Sequence, residues 1–320
     1  MTTAHSNKIS GITTNVFELT EVVNKQYVDQ VVPIPSVTGN SGKYLYSTDG
    51  ISQSWNYISN SQEFTSVGQQ TFTVYSGSNI LFIEIMGGGG GGGSGASNGT
   101  SGHGGGSGSY TSWYIPTNLI NSDLTIIVGS GGTGGISDGQ SGSAGVASTV
   151  SFTSNNTVGV VTLTSLGAGS SGVAALSQGF QTGRHYTTVG LAGASGRATD
   201  GTGSSATAQS NSYQATGGGS GARSTTSTSY TGGSGGSISL YGNTLAASGG
   251  SGNANGTSST AIDGINYGYG GGGGGAVNTS GAGAGGQGSR GSGGGGGGSV
   301  VSGFGTGGNG GNGFVRVTWF

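Results

Sequence analysis

Cysteine is absent from this chain, so no disulfide framework holds it together and no thiol chemistry is open to it. Charge is scarce as well: eight Lys plus Arg and ten Asp plus Glu among 320 residues leave a net charge of −2. The few basic residues are scattered, which leaves no patch for nucleic acid and no polybasic signal for a membrane surface. No apolar run reaches the roughly 18 residues of a membrane-spanning helix. The opening "MTTAHSNKIS" has no charged segment followed by an apolar one, so neither a secretion signal nor membrane insertion is expected. With only three Pro, a collagen-like triple helix is excluded too.

Catalytic signatures are equally sparse. The three His are His5, His103 and His185, and no HExxH, GxSxG or pair of His at ligand spacing occurs. The many GxGxxG matches lack the amphipathic helix and acidic residue of a nucleotide site. Asp138, Asp200 and Asp263 each precede Gly, which is turn chemistry, and none has calcium-loop spacing. The expectation is a protein that is not an enzyme and uses no cofactor or metal.

What the chain does have is 79 Gly, together with 13 Tyr, 9 Phe and 3 Trp. A disordered segment is poor in aromatics and rich in charge, so something here is built to be buried. Residues 1–60 carry Lys8, Lys25, Lys43, Glu18, Glu21, Asp29 and Asp49, seven of the eighteen charged residues, and this marks a boundary near residue 60. Within that region "VFELTEVVNKQYVDQVV" suits a short amphipathic helix ended by Pro33 and Pro35. The following "GNSGKYLYSTDGISQSWNYIS" reads as a β-hairpin around a TDG turn, with Tyr44, Tyr46, Trp55 and Tyr57 on its strands.

From residue 63 to 320 the pattern is strands separated by glycine. Candidate strands are 71–75, 80–86, 109–115, 123–129, 147–154, 158–166, 237–247 and 313–320. Residues 80–86 are nearly all apolar, as a central strand requires, and Trp113 and Tyr114 are expected in the core. In the last strand Val315, Val317 and Trp319 alternate with Arg316 and Thr318, one face dry and one wet. The fold class expected is all-β: a β-sandwich with inserted polyglycine II-type helices, plus a small N-terminal attachment region with a short helix and hairpin.

The glycine itself has two readings. Gly/Ser composition ordinarily means a flexible linker. Yet stepping by three from Gly87 meets Gly90, Gly93, Ala96, Gly99, Gly102, Gly105 and Gly108, and Gly285 to Gly297 repeats the same step. A polyproline-II-like helix has three residues per turn, so such a step keeps one edge free of side chains where neighbouring helices approach. Each long tract is also bracketed by strand-like segments, which favours packed glycine over linker.

The order "EFTSVGQQTFTVYSGSNILFIEIMGGGGGGG", "GSYTSWYIPTNLINSDLTIIVGSGGTGG", "GQSGSAGVASTVSF" and "GGNGGNGFVRVTWF" resembles the glycine-rich domain of bacteriophage tail-fibre and adhesin proteins, over residues 63–320. The segments "NKQYVDQVV" and "GNSGKYLYSTDGISQSW" are similar to stretches in the shafts and bases of phage fibres. That resemblance implies a virion protein, commonly a homotrimer, joined to other virion proteins through its N-terminal region. It also implies a β-sandwich carrying polyglycine helices, whose connecting turns touch a bacterial surface glycan or an outer-membrane protein. The middle region, 170–270, interleaves Gly with Ser, Thr, Tyr and Arg and departs from the simplest members.

Within the middle region the residues suited to receptor binding are Arg184, His185 and Tyr186 in "TGRHYTT", with Tyr213, Tyr230, Tyr267 and Tyr269. Tyr offers a flat apolar face and a hydroxyl at low entropic cost, Arg forks suit carboxylate or phosphate, and these Tyr lie in polar surroundings. His103 is expected as a solvated side chain. The rival from another class is an ice-binding protein, whose flat bundle of polyglycine helices would display rows of Thr and Ser. The first 60 residues, which an ice binder does not need, separate the two.

Overall fold

A computed structural model of the chain describes residues 60–155, 160–168, 190–208, 215–240, 243–260 and 268–320, with the strand segments 43–46, 54–57 and 187–188. The chain divides into two compact units, residues 1–60 with Phe320 and residues 61–319. In the first unit, strands β1 (Lys43–Tyr46) and β2 (Ser54–Tyr57) pair antiparallel with Leu45 opposite Trp55. The amphipathic helix and the TDG turn lie outside the described residues.

The second unit is all-β, and its one helical element among the described residues is a 3-10 turn at Thr117–Leu119. Its first strands are β3 (Asn60–Phe64), β4 (Gly68–Phe72), β5 (Ile80–Met86), β6 (Tyr110–Pro116), β7 (Leu124–Val128), β8 (Ser148–Thr153) and β9 (Val160–Ser165). Short strands follow: β10 (Thr187–Thr188), β11 (Arg223–Ser224), β12 (Ile238–Leu240), β13 (Asn243–Leu245), β14 (Ala276–Val277), β15 (Gly281–Ala282), β16 (Ser299–Val300) and β17 (Gly303–Phe304). The last strand is β18 (Phe314–Trp319).

One sheet has the order β10-β6-β5-β18-β3 and the other β4-β7-β8-β9. Period-two alternation sends Leu81, Ile83 and Ile85 of β5 and Val315 and Val317 of β18 to one side. There they meet Leu124, Ile126 and Val128 of β7, Val150 and Phe152 of β8, and the buried Trp113 in a single core cluster. Two sheets filling one cluster make the core of a sandwich. The strand expected at 71–75 instead spans Gly68–Phe72. Beyond it Tyr75 stacks on Trp319 at 5.0 Å, outside the ladder. Tyr114, expected in the core beside Trp113, is 51% exposed. Being adjacent in a strand, the two must face opposite ways, and Tyr114 stacks on Phe82 across the outer face.

The strand pairing continues where the sheets stop. β5 and β6 pair from Ile80 opposite Pro116 to Met86 opposite Tyr110. In the same register, the N–H groups of Gly87, Gly90, Gly93 and Ala96 then donate to the carbonyls of Ser109, Gly106, His103 and Thr100. β5 and β18 run on likewise, with Gly89, Gly92 and Gly95 donating to Gly311, Gly308 and Gly305. β7 and β8 do so through Val146 to Ser130 and Ser143 to Thr133. β6 and β10 do so through Ser107 to Leu191, Gly104 to Ala194 and Ser101 to Arg197.

Only the step changes: bonds to one neighbour recur every third residue rather than every second. A three-residue step gives a segment three bonding directions where a strand has two edges. The third direction from this tract carries Gly88, Gly91 and Ser94, which donate to Val146, Ser143 and Gln140. A Cβ on Gly88, Gly89, Gly91 or Gly92 would overlap a neighbouring backbone carbonyl, which is why seven consecutive glycines stand here. The tract is buried, bonded structure rather than a linker.

At the centre lies the tract Gly293–Gly298, buried throughout. Its N–H groups reach three neighbours: Gly293 and Gly296 donate to Thr216 and Gly219, Gly294 and Gly297 to Gly90 and Gly93, and Gly295 and Gly298 to Gly286 and Gly283. Its carbonyls accept from three others, through Gly102 and Gly105, Gly271 and Gly274, and Gly305 and Gly308. Ordering glycine costs more conformational entropy than ordering any other residue. Against that cost stand the backbone bonds of this tract, each contributing about 0.5–1.5 kcal/mol net, which leave none of the N–H and carbonyl groups of Gly293–Gly298 unpaired.

Candidate functional surface

The tract Gly87–Gly95 leaves the sandwich at β5 and the chain returns to β6, and the turn between them adjoins the turns of neighbouring tracts. Gly87–Gly95 is nine residues long, so the turn at Ala96–Thr100 lies at most about 30 Å beyond β5. There Asn98 takes a positive φ of 52°, a conformation Asn tolerates. The neighbouring turns are 137–140, 198–201, 224–229, 251–254, 277–281 and 300–303, and hydrogen bonds between them join all seven.

Asp138 accepts from the Ser97 N–H at 2.7 Å, and the Asn98 N–H donates to the Val300 carbonyl at 2.9 Å. The Val301 N–H donates to Asn278 Oδ1 at 3.1 Å, while Asn278 Nδ2 donates to the Thr225 carbonyl at 3.2 Å. Asp200 Oδ2 accepts from both the N–H and the hydroxyl of Thr225, at 3.0 and 2.6 Å. Asn253 Nδ2 donates to the Ser280 carbonyl at 3.3 Å. The hydroxyl of Thr225 holds the Asp200 carboxyl below its ordinary range, with help from the Thr225 N–H and the Arg223 charge, against the opposing effect of desolvation. Under these turns Ala222, Ala276 and Val300 form a small apolar cluster with Tyr230 and Ala282 packed against it. The result is a polar end surface whose loops are fixed by one another and by the column beneath.

Of the residues singled out in the sequence, Arg184, His185, Tyr186, Tyr213 and Tyr267 lie outside the described residues, as does Asp263. Tyr230 and Tyr269 are not brought together: they sit at opposite ends of the tract Gly270–Gly275. Tyr230 exchanges two backbone bonds with Ala276 at the turn end. Tyr269, expected on a polar loop, is only 9% exposed and packs with Met86, Tyr110 and Phe314. Its hydroxyl accepts from the Thr260 N–H at 3.2 Å. The apolar partners that bury it come from strands far away in sequence, so the polar text around it was no guide. His103 is exposed as expected, and its Nδ1 accepts from the Gly196 N–H at 3.1 Å.

The polar residues that build the end surface, Asn98, Asn253 and Asn278, were not singled out, although a positive-φ or turn-forming Asn beside Gly or Thr was a signal of the right kind. Among the described residues no group of three His, Asp, Glu or Cys is placed to hold a metal ion. No helix among them is long and apolar enough to cross a membrane. Residues 65–292 match the family described as a glycine-rich domain. No curated protein matches the chain.

Proposed function

The chain belongs to the glycine-rich domain family, and from that premise we propose that it is a bacteriophage fibre or spike component whose turn-bearing end touches a host-surface receptor. In this reading the tracts are polyglycine II-type helices, which the three-residue step and the six neighbours around Gly293–Gly298 support. Residues 1–60 attach the chain to other virion proteins and assemble it as a homotrimer on the virion surface. A bacterial glycan or outer-membrane protein is the receptor. The role is non-enzymatic: Asp138 and Asp200 are engaged as turn anchors, and Glu63 and Glu84 pair with Arg316.

The observation that carries the proposal is the joining of all seven turns into one surface at the end of a saturated backbone column. Binding residues are commonly presented on loops held by a rigid scaffold, and here the scaffold fixes the loops to each other as well. The ice-binding rival asks for outward hydroxyl rows free to order water. On the outer tract the hydroxyls of Thr133 and Ser143 instead bond each other at 3.0 Å, and the Ser143 hydroxyl also accepts from the Thr133 N–H. The test is competition: purified full-length chain is mixed with host cells before phage are added, with antibody labelling locating the chain on particles. Reduced adsorption and labelled fibres are expected. Unlabelled particles with measurable thermal hysteresis would transfer the reading to ice.

A further inference from the structure

At the end surface two guanidinium groups from different segments, those of Arg197 and Arg223, meet the 198–201 turn. Gly201 and Arg223 exchange backbone bonds of 2.9 and 3.1 Å. The Arg197 guanidinium lies against the Gly201 side of that bridge, where a Cβ would stand 3.2 Å from Nε and 3.3 Å from Nη2, so glycine makes the seat. Arg223 donates from Nη1 to the Ala198 carbonyl. Both arginines are half-buried, and both Nε atoms are sealed from water and unpaired among the described residues. The Arg197 guanidinium makes no ion pair there, and the carboxylate on this turn, Asp200, already accepts two bonds from Thr225. A guanidinium carries five N–H donors, so two cations here keep most of theirs unspent beside a single committed anion.

We propose that Arg197 and Arg223 form a binding site for an anionic sugar, a glycan bearing carboxylate or phosphate oxygens, on the turn end of the column. Arg223 Nη2 and both Nη groups of Arg197, which carry no bond among the described residues, supply the donors that such oxygens match. The exposed Thr226 and Thr228 of the 224–229 turn and the half-buried Tyr230, packed against the cluster around Ala222, follow Arg223 closely along the chain and suit the rest of a sugar ring. Holding the stems in place before the ligand arrives lowers the entropy lost on binding. The inference rests on the adhesin reading for the source of the sugar alone, since the site itself is read from the side chains.

The test uses full-length 15N-labelled chain at low salt, where charge interactions are least screened, titrated separately with glucuronate and with inorganic phosphate. Saturable shifts of the Arg197 and Arg223 Nε signals are expected, and the stronger probe separates uronic acid from sugar phosphate. Arg197→Ala should weaken binding about tenfold with melting unchanged, because one charge-assisted fork is lost. Asp200→Asn keeps an acceptor for Thr225 and removes the competing charge, so it should tighten binding about two- to threefold. Shifts that do not saturate, or that neither variant alters, overturn the site. If neither anion binds while the chain still blocks adsorption, the sugar site is wrong and the adhesin reading stands. Binding without any block of adsorption leaves the site and removes the adhesin role.

Discussion

The sandwich and the glycine column are made from the same strands yet held by different physics. In the sandwich, Leu81, Ile83, Ile126 and Val317 remove apolar side-chain surface from water, and the backbone pairs with at most two neighbours per strand. Past Met86 the side chains are gone. Bonding every third residue then lets a tract pair with up to six neighbours, as Gly293–Gly298 does. The difference teaches that hydrogen bonding can take over the cohesive role when backbones approach closely on every side. It also makes the two regions sensitive to opposite errors: a sandwich core tolerates a small loss of volume, and the column tolerates no gain.

The largest effect is therefore expected from adding atoms to the column. Gly295→Val would drive its Cβ into the Gly272 carbonyl, with no side chain to give way, and should cost more than about 4 kcal/mol or prevent folding. Gly303→Ala on the turn end meets only Val300 Cγ2 at 3.4 Å and should stay within about 0.5 kcal/mol in the same denaturant series. Equal losses at both positions would erase the contrast. Removing atoms from the sandwich comes next: Ile126→Val should cost about 0.5–1.5 kcal/mol by thermal melting, the usual range for a deleted core methylene.

Smaller again is the loss of one side-chain cap on the column's flank. Asn312 Oδ1 accepts from the Gly131 N–H at 2.9 Å. The bond is exposed, so water can replace the lost acceptor, and Asn312→Ala should cost only about 0.5 kcal/mol and speed exchange at Gly131 while leaving Gly132, bonded to the Gly89 carbonyl, protected. The smallest effect is local and pH-dependent. Because folding lowers the Asp200 pKa from 3.8, its contribution is complete above the ordinary carboxylate range and is lost as pH falls through the lowered value. Acid titration should release the Thr225 amide before the sheet amides exchange, and simultaneous release would show that the turn end and the sandwich open together.

Particular residues show how far the sequence could be read. The alternation of Val315 and Val317 with Arg316, and the apolar run 80–86, announced β18 and β5 because period-two burial is written into the order of side chains. Trp113 was legible and Tyr114 was not, since both faces of that strand carry aromatics and only the opposing sheet decides which is inside. Tyr269 misled for a related reason: its burial depends on Met86 and Phe314, which no local pattern connects to it. The end surface was nearly invisible because each of its turns is ordinary alone and acquires meaning from its neighbours.

What the sequence determined by itself was the material: strands where β-branched and aromatic residues alternate, columns where glycine removes most side chains, and a charge content too low for a broad basic or acidic patch. Those properties are local, fixed by the steric demands of a residue and its nearest neighbours along the chain. Only the tertiary structure decided which tracts adjoin, that strand registers pass unbroken into the glycine, and that Arg197 and Arg223 both meet the 198–201 turn. Glycine carries no side chain to specify a partner, so pairing among identical backbones is imposed by the strands at one end and the turns at the other.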